Sequence, residues 1–388
     1  MKIWDMLKGG ALRETRAADP SWDALTGGAG AATASGMHVD AKSAESLSTV
    51  YACVQALAES TACLPLHVYR RTDAGDRERA DGHWLSRLLD SPNDYQTGME
   101  YRESQTAAIL LHGNSYARKE LNGAGEVVSL QPMHPQRVTV VRLDNGRYRY
   151  DWTDDSGKVH RLLADEVLHL KDRSEPGSIV GKSRIAIARE NLGLALALRK
   201  HGANTFSRGR PSAVLLNEGK RDFTTEELKT ISERLEYFAS AGAGRVMNLP
   251  RGVKWENIGI SNEDMEFIAA QQFSVADICR IFRVPPVLVQ DLTHATYSNV
   301  DRLGDYFVSF ALQRWLTCWE EGISRSLLGP IARQRYYAEH QTGGLLRAQP
   351  KERSEFYKTM IDAGVMDAGE CRKLENLPQR DVDAANAS

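Results

Sequence analysis

The seven residues Gly177-Ser178-Ile179-Val180-Gly181-Lys182-Ser183 are the strongest hint of chemistry in the sequence. They follow an apolar run that reads as a strand and open an Ala- and Leu-rich segment that reads as a helix, the setting of a phosphate-binding loop. Such a loop needs four residues between its glycines, so that successive backbone N–H groups wrap the β-phosphate. Here three intervene, and Pro176 stands where the first glycine belongs. The acidic magnesium ligand that should end a nearby apolar strand is also missing, because Ala213-Val214-Leu215-Leu216 runs into Asn217. The segment therefore reads as a turn and a helix start.

Other chemistry fails on spacing too. Glycine pairs at Gly28 and Gly30, Gly123 and Gly125, and Gly242 and Gly244 have no third glycine in the dinucleotide position. The ten histidines are dispersed, with no HExxH and no pair four residues apart. There is no GxSxG. Acidic pairs such as Asp154-Asp155 lie in turn sequences. Cys53, Cys63, Cys279, Cys318 and Cys371 form no CxxC pair, and they read as buried reduced thiols of a cytoplasmic protein. No nucleophile, base and orienter assemble from these residues, so the expectation is a protein without catalysis, cofactor or metal.

At 388 residues the chain has room for two or three domains, or for one with large insertions. Forty-nine basic against 51 acidic residues leave a net charge of -2. That balance argues against a surface that grips nucleic acid throughout, but leaves open one that DNA slides past. The start, Met1-Lys2-Ile3-Trp4-Asp5, lacks the apolar run of a signal peptide, and no apolar stretch is long enough to predict a membrane-spanning helix.

Residues 1–40, with Gly27-Gly28-Ala29-Gly30 and many small polar residues, read as a loose arm. Val50, Cys53, Val54, Leu57 and Leu64 predict a helix over 43–63, ended by Leu64-Pro65. A strand is predicted over 66–70. Thr97-Gly98-Met99-Glu100 has the capping-box spacing and predicts a helix to His112, stopped by Gly113. Short β-runs follow at 115–121, 127–130, 138–143, 147–152 and 166–170, with Asn122-Gly123, Asp144-Asn145-Gly146 and Ser156-Gly157 as turns between them. Residues 183–207 read as one long helix with Ile185, Ala188, Leu192, Leu196, Ala203 and Phe206 on a stripe. Residues 212–260 read as a small α/β insert with strands at 213–216, 245–249 and 255–260 and a helix capped at Thr224-Thr225-Glu226-Glu227. A helix opens at Ser261-Asn262-Glu263-Asp264 and stops before Pro285-Pro286; a polar loop leads to an aromatic-rich helix over 298–328, and two helices close the chain, one led by Pro350 and one at 367–375. The fold class is α+β.

The order of several short motifs resembles a known family. They are Pro92-Asn93 with Thr97 to Glu100, His112-Gly113-Asn114-Ser115-Tyr116-Ala117, Glu166-Val167-Leu168-His169-Leu170, and Gly181-Lys182-Ser183-Arg184-Ile185. The strongest is Ile278-Cys279-Arg280-Ile281-Phe282-Arg283-Val284-Pro285-Pro286-Val287-Leu288-Val289, followed by Ala295-Thr296-Tyr297-Ser298-Asn299-Val300. Gly369-Glu370-Cys371-Arg372 and Glu375-Asn376-Leu377-Pro378 complete the series. Together they resemble tailed-phage portal proteins of the branch named for phage Hong Kong 97, over about residues 40–380. Arg283 stands where that family usually has glycine, and Gln379 replaces a second proline.

The resemblance implies a portal-protein fold and a non-enzymatic ring, typically of twelve subunits, at one capsid vertex of a virion assembled in the host cytoplasm. Double-stranded DNA passes through such a ring without sequence specificity. The implied partners are other copies of the chain, the terminase large subunit, head-completion or adaptor proteins, and the major capsid and scaffold proteins, with no membrane. By order, 1–40 is an N-terminal arm, 41–182 the wing, 183–207 the first stem helix, 208–260 the clip, 261–286 the second stem helix, 287–297 the tunnel loop, 298–349 the long helix and return to the wing, and 350–388 the crown and tail. The channel candidates are Gln290, Thr293, His294 and Thr296; between Val287 and Tyr297 the single charged residue is Asp291. A sliding channel should avoid Lys and Arg, because each phosphate clamp adds a barrier to movement. The first stem helix is basic (Arg184, Arg189, Arg199, Lys200 against Glu190) and the second acidic (Glu263, Asp264, Glu266, Asp277 against Arg280, Arg283), so these faces are expected to meet within or between subunits. The alternatives are a nucleotide-driven DNA motor, disfavoured by the broken loop, and another capsid or adaptor structural protein, disfavoured by length and motif order.

Overall fold

The computed structural model describes residues 33–72, 76–208, 213–217, 224–226, 229–230, 253–257, 262–291, 304, 306–342 and 350–374. The loose-arm reading of 1–40 fails over 33–40. Thr33 is buried in the space that Gly193 leaves by having no Cβ, Ala34 N donates to Glu190 Oε2 at 3.0 Å, and Val39 enters the core. Asp40 then caps helix α1 (Ala41–Glu45): its carboxylate accepts from Ser43 N at 2.7 Å while Ser43 Oγ accepts from Asp40 N at 2.8 Å.

The helix expected over 43–63 is two helices. Ser46 Oγ donates to Ser43 O, competing with the backbone ladder, and Leu47 turns extended and buried before α2 (Ser48–Cys63) begins. Leu64-Pro65 ends α2 as the sequence predicts. Strands β1 (Leu66–Arg71) and β2 (Arg77–Arg79) follow, then α3 (Trp84–Asp90) and α4 (Gly98–His112). In α4 the Thr97–Glu100 capping box forms and Gly113 stops the helix at φ +80°. Next come β3 (Asn114–Leu121), β4 (Val127–Met133), β5 (Val138–Arg142), β6 (Tyr148–Thr153), β7 (Val159–Leu163) and β8 (Val167–Lys171).

The long helix over 183–207 also breaks. A single turn, α5 (Arg184–Ile187), gives way at Ala188, and α6 (Arg189–Arg208) continues. Ile185, Ala188, Leu192 and Leu196 are buried on the expected stripe; Ala203 is exposed, and nothing is described of the Phe206 side chain. Of the insert, β9 (Ala213–Asn217) and β10 (Val253–Asn257) pair antiparallel, while 245–249 lies outside the described residues. Helix α7 (Asn262–Phe282) ends three residues short of Pro285, and a 3₁₀ turn (Pro286–Val289) follows where a loop was expected from 287. The aromatic-rich helix is described from Gly304; it passes through a π-helical segment (Phe307–Leu312) into α8 (Gln313–Ser326). A short α9 (Ala332–Arg335), β11 (Tyr336–His340), α10 (Pro350–Asp362) and α11 (Ala368–Leu374) complete the described chain.

Among the described residues every sheet is antiparallel: β11-β1-β2, β4-β3-β8, β5-β6-β7 and β10-β9. One core joins α2, α4, β8, the start of α6, the end of α7 and α8. Trp315 and Trp319 fill its centre, and the Trp319 indole N–H donates to Thr106 Oγ1 at 3.0 Å, so the buried polar edge is satisfied. Buried Lys119 donates from Nζ to Ser326 O at 2.6 Å, placing a cation at the C-terminal end of α8, and to Asp165 O at 3.0 Å in the turn before β8. Among the thiols, Cys53, Cys279 and Cys371 are buried as expected, whereas Cys318 is half-buried and Cys63 is exposed.

Candidate channel segment and its anchoring hub

The 172–183 connection begins with a close approach of two glycines. Gly181 lies against Gly113 so closely that a Cβ on Gly181 would fall 2.3 Å from Gly113 O. Asn114, the residue after the α4 stop, clamps the other side. Its Oδ1 accepts from Gly181 N at 2.7 Å and its Nδ2 donates to Gly181 O at 3.0 Å, so the side chain imitates a paired peptide. His169 Nε2 also meets Asn114 Oδ1 at 3.0 Å, and His169 Nδ1 meets the Tyr150 hydroxyl at 3.2 Å. This polar chain ties β6, β8, β3 and the connection together. Burial, with help from Lys171 and Arg325, pushes His169 down to about 3, so the ring is neutral and fits one donor and one acceptor role. Ser183 ends the connection: its hydroxyl donates to Leu111 O at 2.8 Å and accepts from Ala186 N at 3.2 Å, capping α5.

Lys182, the residue that imitates a phosphate-loop lysine, forms an ion pair with Glu175. Lys182 N donates to Arg173 O at 2.9 Å and Ser174 bridges Gly181, so the connection is a closed turn with no ring of free N–H groups described around the lysine. Lys182→Ala should therefore change stability by about 0–1 kcal/mol, as for exposed ion pairs. It should leave ATP turnover at background. A hydrolysis rate that is measurable in the wild type and lost in the variant overturns this reading.

Asp172, at the end of β8, is the charged centre of the hub. Arg184 Nε reaches its Oδ2 at 2.7 Å, Arg314 reaches Oδ1 at 2.6 Å, and Arg173 N donates to Oδ1 at 2.6 Å. Burial raises the carboxyl, but Arg184, Arg314 and these hydrogen bonds outweigh it and hold Asp172 below its ordinary value. Both guanidiniums lie 5.0 Å from the Trp315 ring centroid. Arg184 also donates to Ile281 O at 3.1 Å. The start of the α5–α6 pair is thus bonded to the end of α7, so α6 and α7 run antiparallel, and chain connectivity puts β9 and β10 at the opposite end.

The expected meeting of basic and acidic faces does not occur within the subunit among the described residues. Arg184 goes to Asp172, Arg199 to Ser46 O at 2.6 Å, and Glu190 to Ala34 N. Among the described residues, Asn191 with Asp277 is a polar link between α6 and α7, beside packed Leu192, Leu196, Ile278 and Phe282. The side chains of Glu263, Asp264 and Glu266 lie outside the described residues.

The end of α7 aims the candidate channel segment. Val284 N donates to Cys279 O at 3.0 Å and Arg283 N to Arg280 O at 3.2 Å, the paired bonds of a Schellman stop. That stop holds Arg283 at φ +59°, the left-handed conformation that explains why glycine suits this position. Arg283→Gly should raise stability by about 0.5–1 kcal/mol, the steric strain relieved less the extra chain entropy of glycine. A denaturation midpoint that falls would refute this. Beyond it, the 3₁₀ turn ends at Gln290, which is exposed and also left-handed at φ +62°. Of the sequence-predicted channel residues, Gln290 is placed here; Thr293, His294 and Thr296 lie outside the described residues. The described segment brings no Lys or Arg from 284 to 291. Among the described residues, no cluster of His, Cys, Asp and Glu has a metal-holding arrangement, and no helix is long and apolar enough to cross a membrane.

Asp172 was not among the residues singled out by spacing. Its signal was weak: an acid one residue beyond the run 167–170, after Lys171, and twelve residues before Arg184.

An antiparallel helix pair carrying a small β insert and rooted in an α+β body is the architecture that the described residues define. Residues 48–376 match the family model described as "Phage portal protein". The chain is 33% identical over 337 residues to the "Portal protein" of Enterobacteria phage HK97, covering 86% of this chain and 79% of that one. It is 32% identical over 385 residues to the "Probable portal protein" of Streptomyces phage phiC31, covering 94% and 81%. A solved structure titled "Neck of native GTA particle computed with C12 symmetry" shares the fold at TM-score 0.60 and 24% identity, over 86% of this chain and 91% of that one. The chain belongs to the phage portal protein family.

Proposed function

We propose that copies of this chain form a ring, twelve in number, at one vertex of a virion or related particle, and that DNA moves through its centre during packaging and ejection. The neck that shares this fold has C12 symmetry, which supports the number. In this reading 41–182 is the wing, α5 and α6 the first stem helix, 208–260 the clip, α7 the second stem helix, 287–297 the tunnel loop and 350–388 the crown. Terminase docks during packaging and head-completion proteins afterwards; capsid and scaffold proteins surround the ring. The chain is not an enzyme, and the motor activity belongs to a partner.

The observation that carries this reading is the segment after α7. It is held at its root by a Schellman stop, two prolines and the Asp172 hub, and beyond Arg283 it offers DNA no basic side chain from 284 to 291. A segment so fixed can touch a moving duplex without clamping it. The test has two arms. Negative-stain images of purified protein should show twelve-fold rings with a central hole, with ATP turnover at background. Replacing Thr293 and His294 with Lys should leave the rings intact and slow or stall DNA movement in a packaging assay. Monomers that never close, or a double-Lys variant that packages at the normal rate, would sink the ring or the channel assignment respectively.

A further inference from the structure

Cys53 and Cys279 are 226 positions apart in sequence, and their sulfurs are 4.0 Å apart. Cys53 lies on the buried face of α2 with Val50, Val54 and Leu57; Cys279 lies in the last turn of α7, and its carbonyl is one of the two acceptors of the Schellman stop. Both residues are 2% exposed or less. Neither the channel segment nor the hub uses these thiols. A disulfide needs the sulfurs at about 2.05 Å, so about 2 Å must close, within the sweep of a cysteine χ1 rotation.

We propose that Cys53 and Cys279 are an oxidation site, where a two-electron thiol oxidant joins them into a disulfide that fixes the end of α7 to α2. The S–H of Cys53 directed at Cys279 Sγ lowers the Cys279 thiol and raises Cys53, so Cys279 is the first nucleophile. With diamide as the oxidant, the Cys279 thiolate adds to one nitrogen of the N=N bond, and the other nitrogen takes up a proton. Cys53 then attacks that sulfur, its proton goes to the departing nitrogen, and the hydrazine leaves. Two thiols become one disulfide, and the azo bond gains two electrons and two protons. A reducing cytosol keeps the pair as thiols. Outside the cell the same pair closes, bonding the root of the channel segment to the body of the subunit. Because both sulfurs are buried, the oxidant reaches them only when the last turn of α7 opens, and the reaction is slow.

The experiment uses the full chain, treated with diamide under native conditions, alkylated, digested without reductant and mapped by mass spectrometry. Alkylatable thiols should fall from five to three, since the chain has five cysteines and the site takes two. The Cys53 and Cys279 peptides should appear joined and two hydrogens lighter, and dithiothreitol should restore five. The thermal midpoint should rise by about 5 °C on oxidation and return on reduction. Cys279→Ala should lose the cross-link and the shift, whereas Cys63→Ser should keep both. Five alkylatable thiols after diamide, or a disulfide that leaves Cys53 or Cys279 free, overturns the proposal. If Cys279→Ala fails to fold, the wild-type peptide map decides alone.

Discussion

Asp172→Ala lowers subunit stability by about 3–5 kcal/mol, because it strips a buried carboxylate from two guanidiniums and leaves them without their counter-charge. Arg184 and Arg314 both depend on that carboxylate, and Arg184 alone connects it to the end of α7 through Ile281 O. Asp172→Asn keeps the volume and one acceptor and should cost less. The pH dependence has a definite sign. The folded-state carboxyl sits below its ordinary value, so its contribution is fully present above an unfolded value of about 3.9 and is lost as pH falls through the lower folded value. Urea unfolding of both variants at neutral and acidic pH reads all of this. A loss under 1 kcal/mol for Asp172→Ala would mean that water solvates the arginines well enough to make the hub dispensable.

Gly181→Ala should cost about 2–4 kcal/mol, combining overpacking with loss of the Asn114 clamp. The new Cβ would stand 2.3 Å from Gly113 O, 2.9 Å from Asp172 N and 3.0 Å from Asp172 O. All three are backbone atoms, so no side chain can swing aside. Gly177→Ala is the control: it lies in open space and suffers only from its φ of +80°, about 1–2 kcal/mol. If Gly177→Ala proves the more damaging, the close approach at Gly113 is not what positions α5. The pair of variants also separates the two meanings of the glycine-rich stretch, since a phosphate-binding loop would show its defect in nucleotide affinity rather than in stability.

Local signals that carry their own hydrogen bonds were legible in the residues. The Thr97–Glu100 capping box, the Gly113 stop and the turns around Asn122 and Gly146 appear as expected. Elements without such signals were not. Helix α3 has seven residues and is capped by His83 through its ring nitrogen, an uncommon cap; β2 is three exposed charged residues that exist because β1 needs a neighbour. The breaks at Leu47 and Ala188 arise where one residue must turn into the core, which no helical periodicity announces. Asp172 was missed for a related reason. Its partners are 12 and 142 positions away, and a carboxylate acquires its role only when the fold brings both guanidiniums to it.

The β1–β11 pairing bears on the order of events during synthesis. Leu66 is matched to His340 and Arg70 to Tyr336, so β1 waits for a partner synthesised long after it. At typical ribosomal speeds that interval is about 14–55 s, much longer than the roughly microsecond formation of a hairpin. During it the β1–β2 hairpin can form, but the opposite edge of β1, with Leu66 and Val68 destined for the core, has no native neighbour. Meanwhile the helix pair and its insert are already emerging. The subunit therefore completes this sheet only after residues 336–340 have been made, so a nascent chain stopped before residue 336 lacks the strand that closes the sheet around β1.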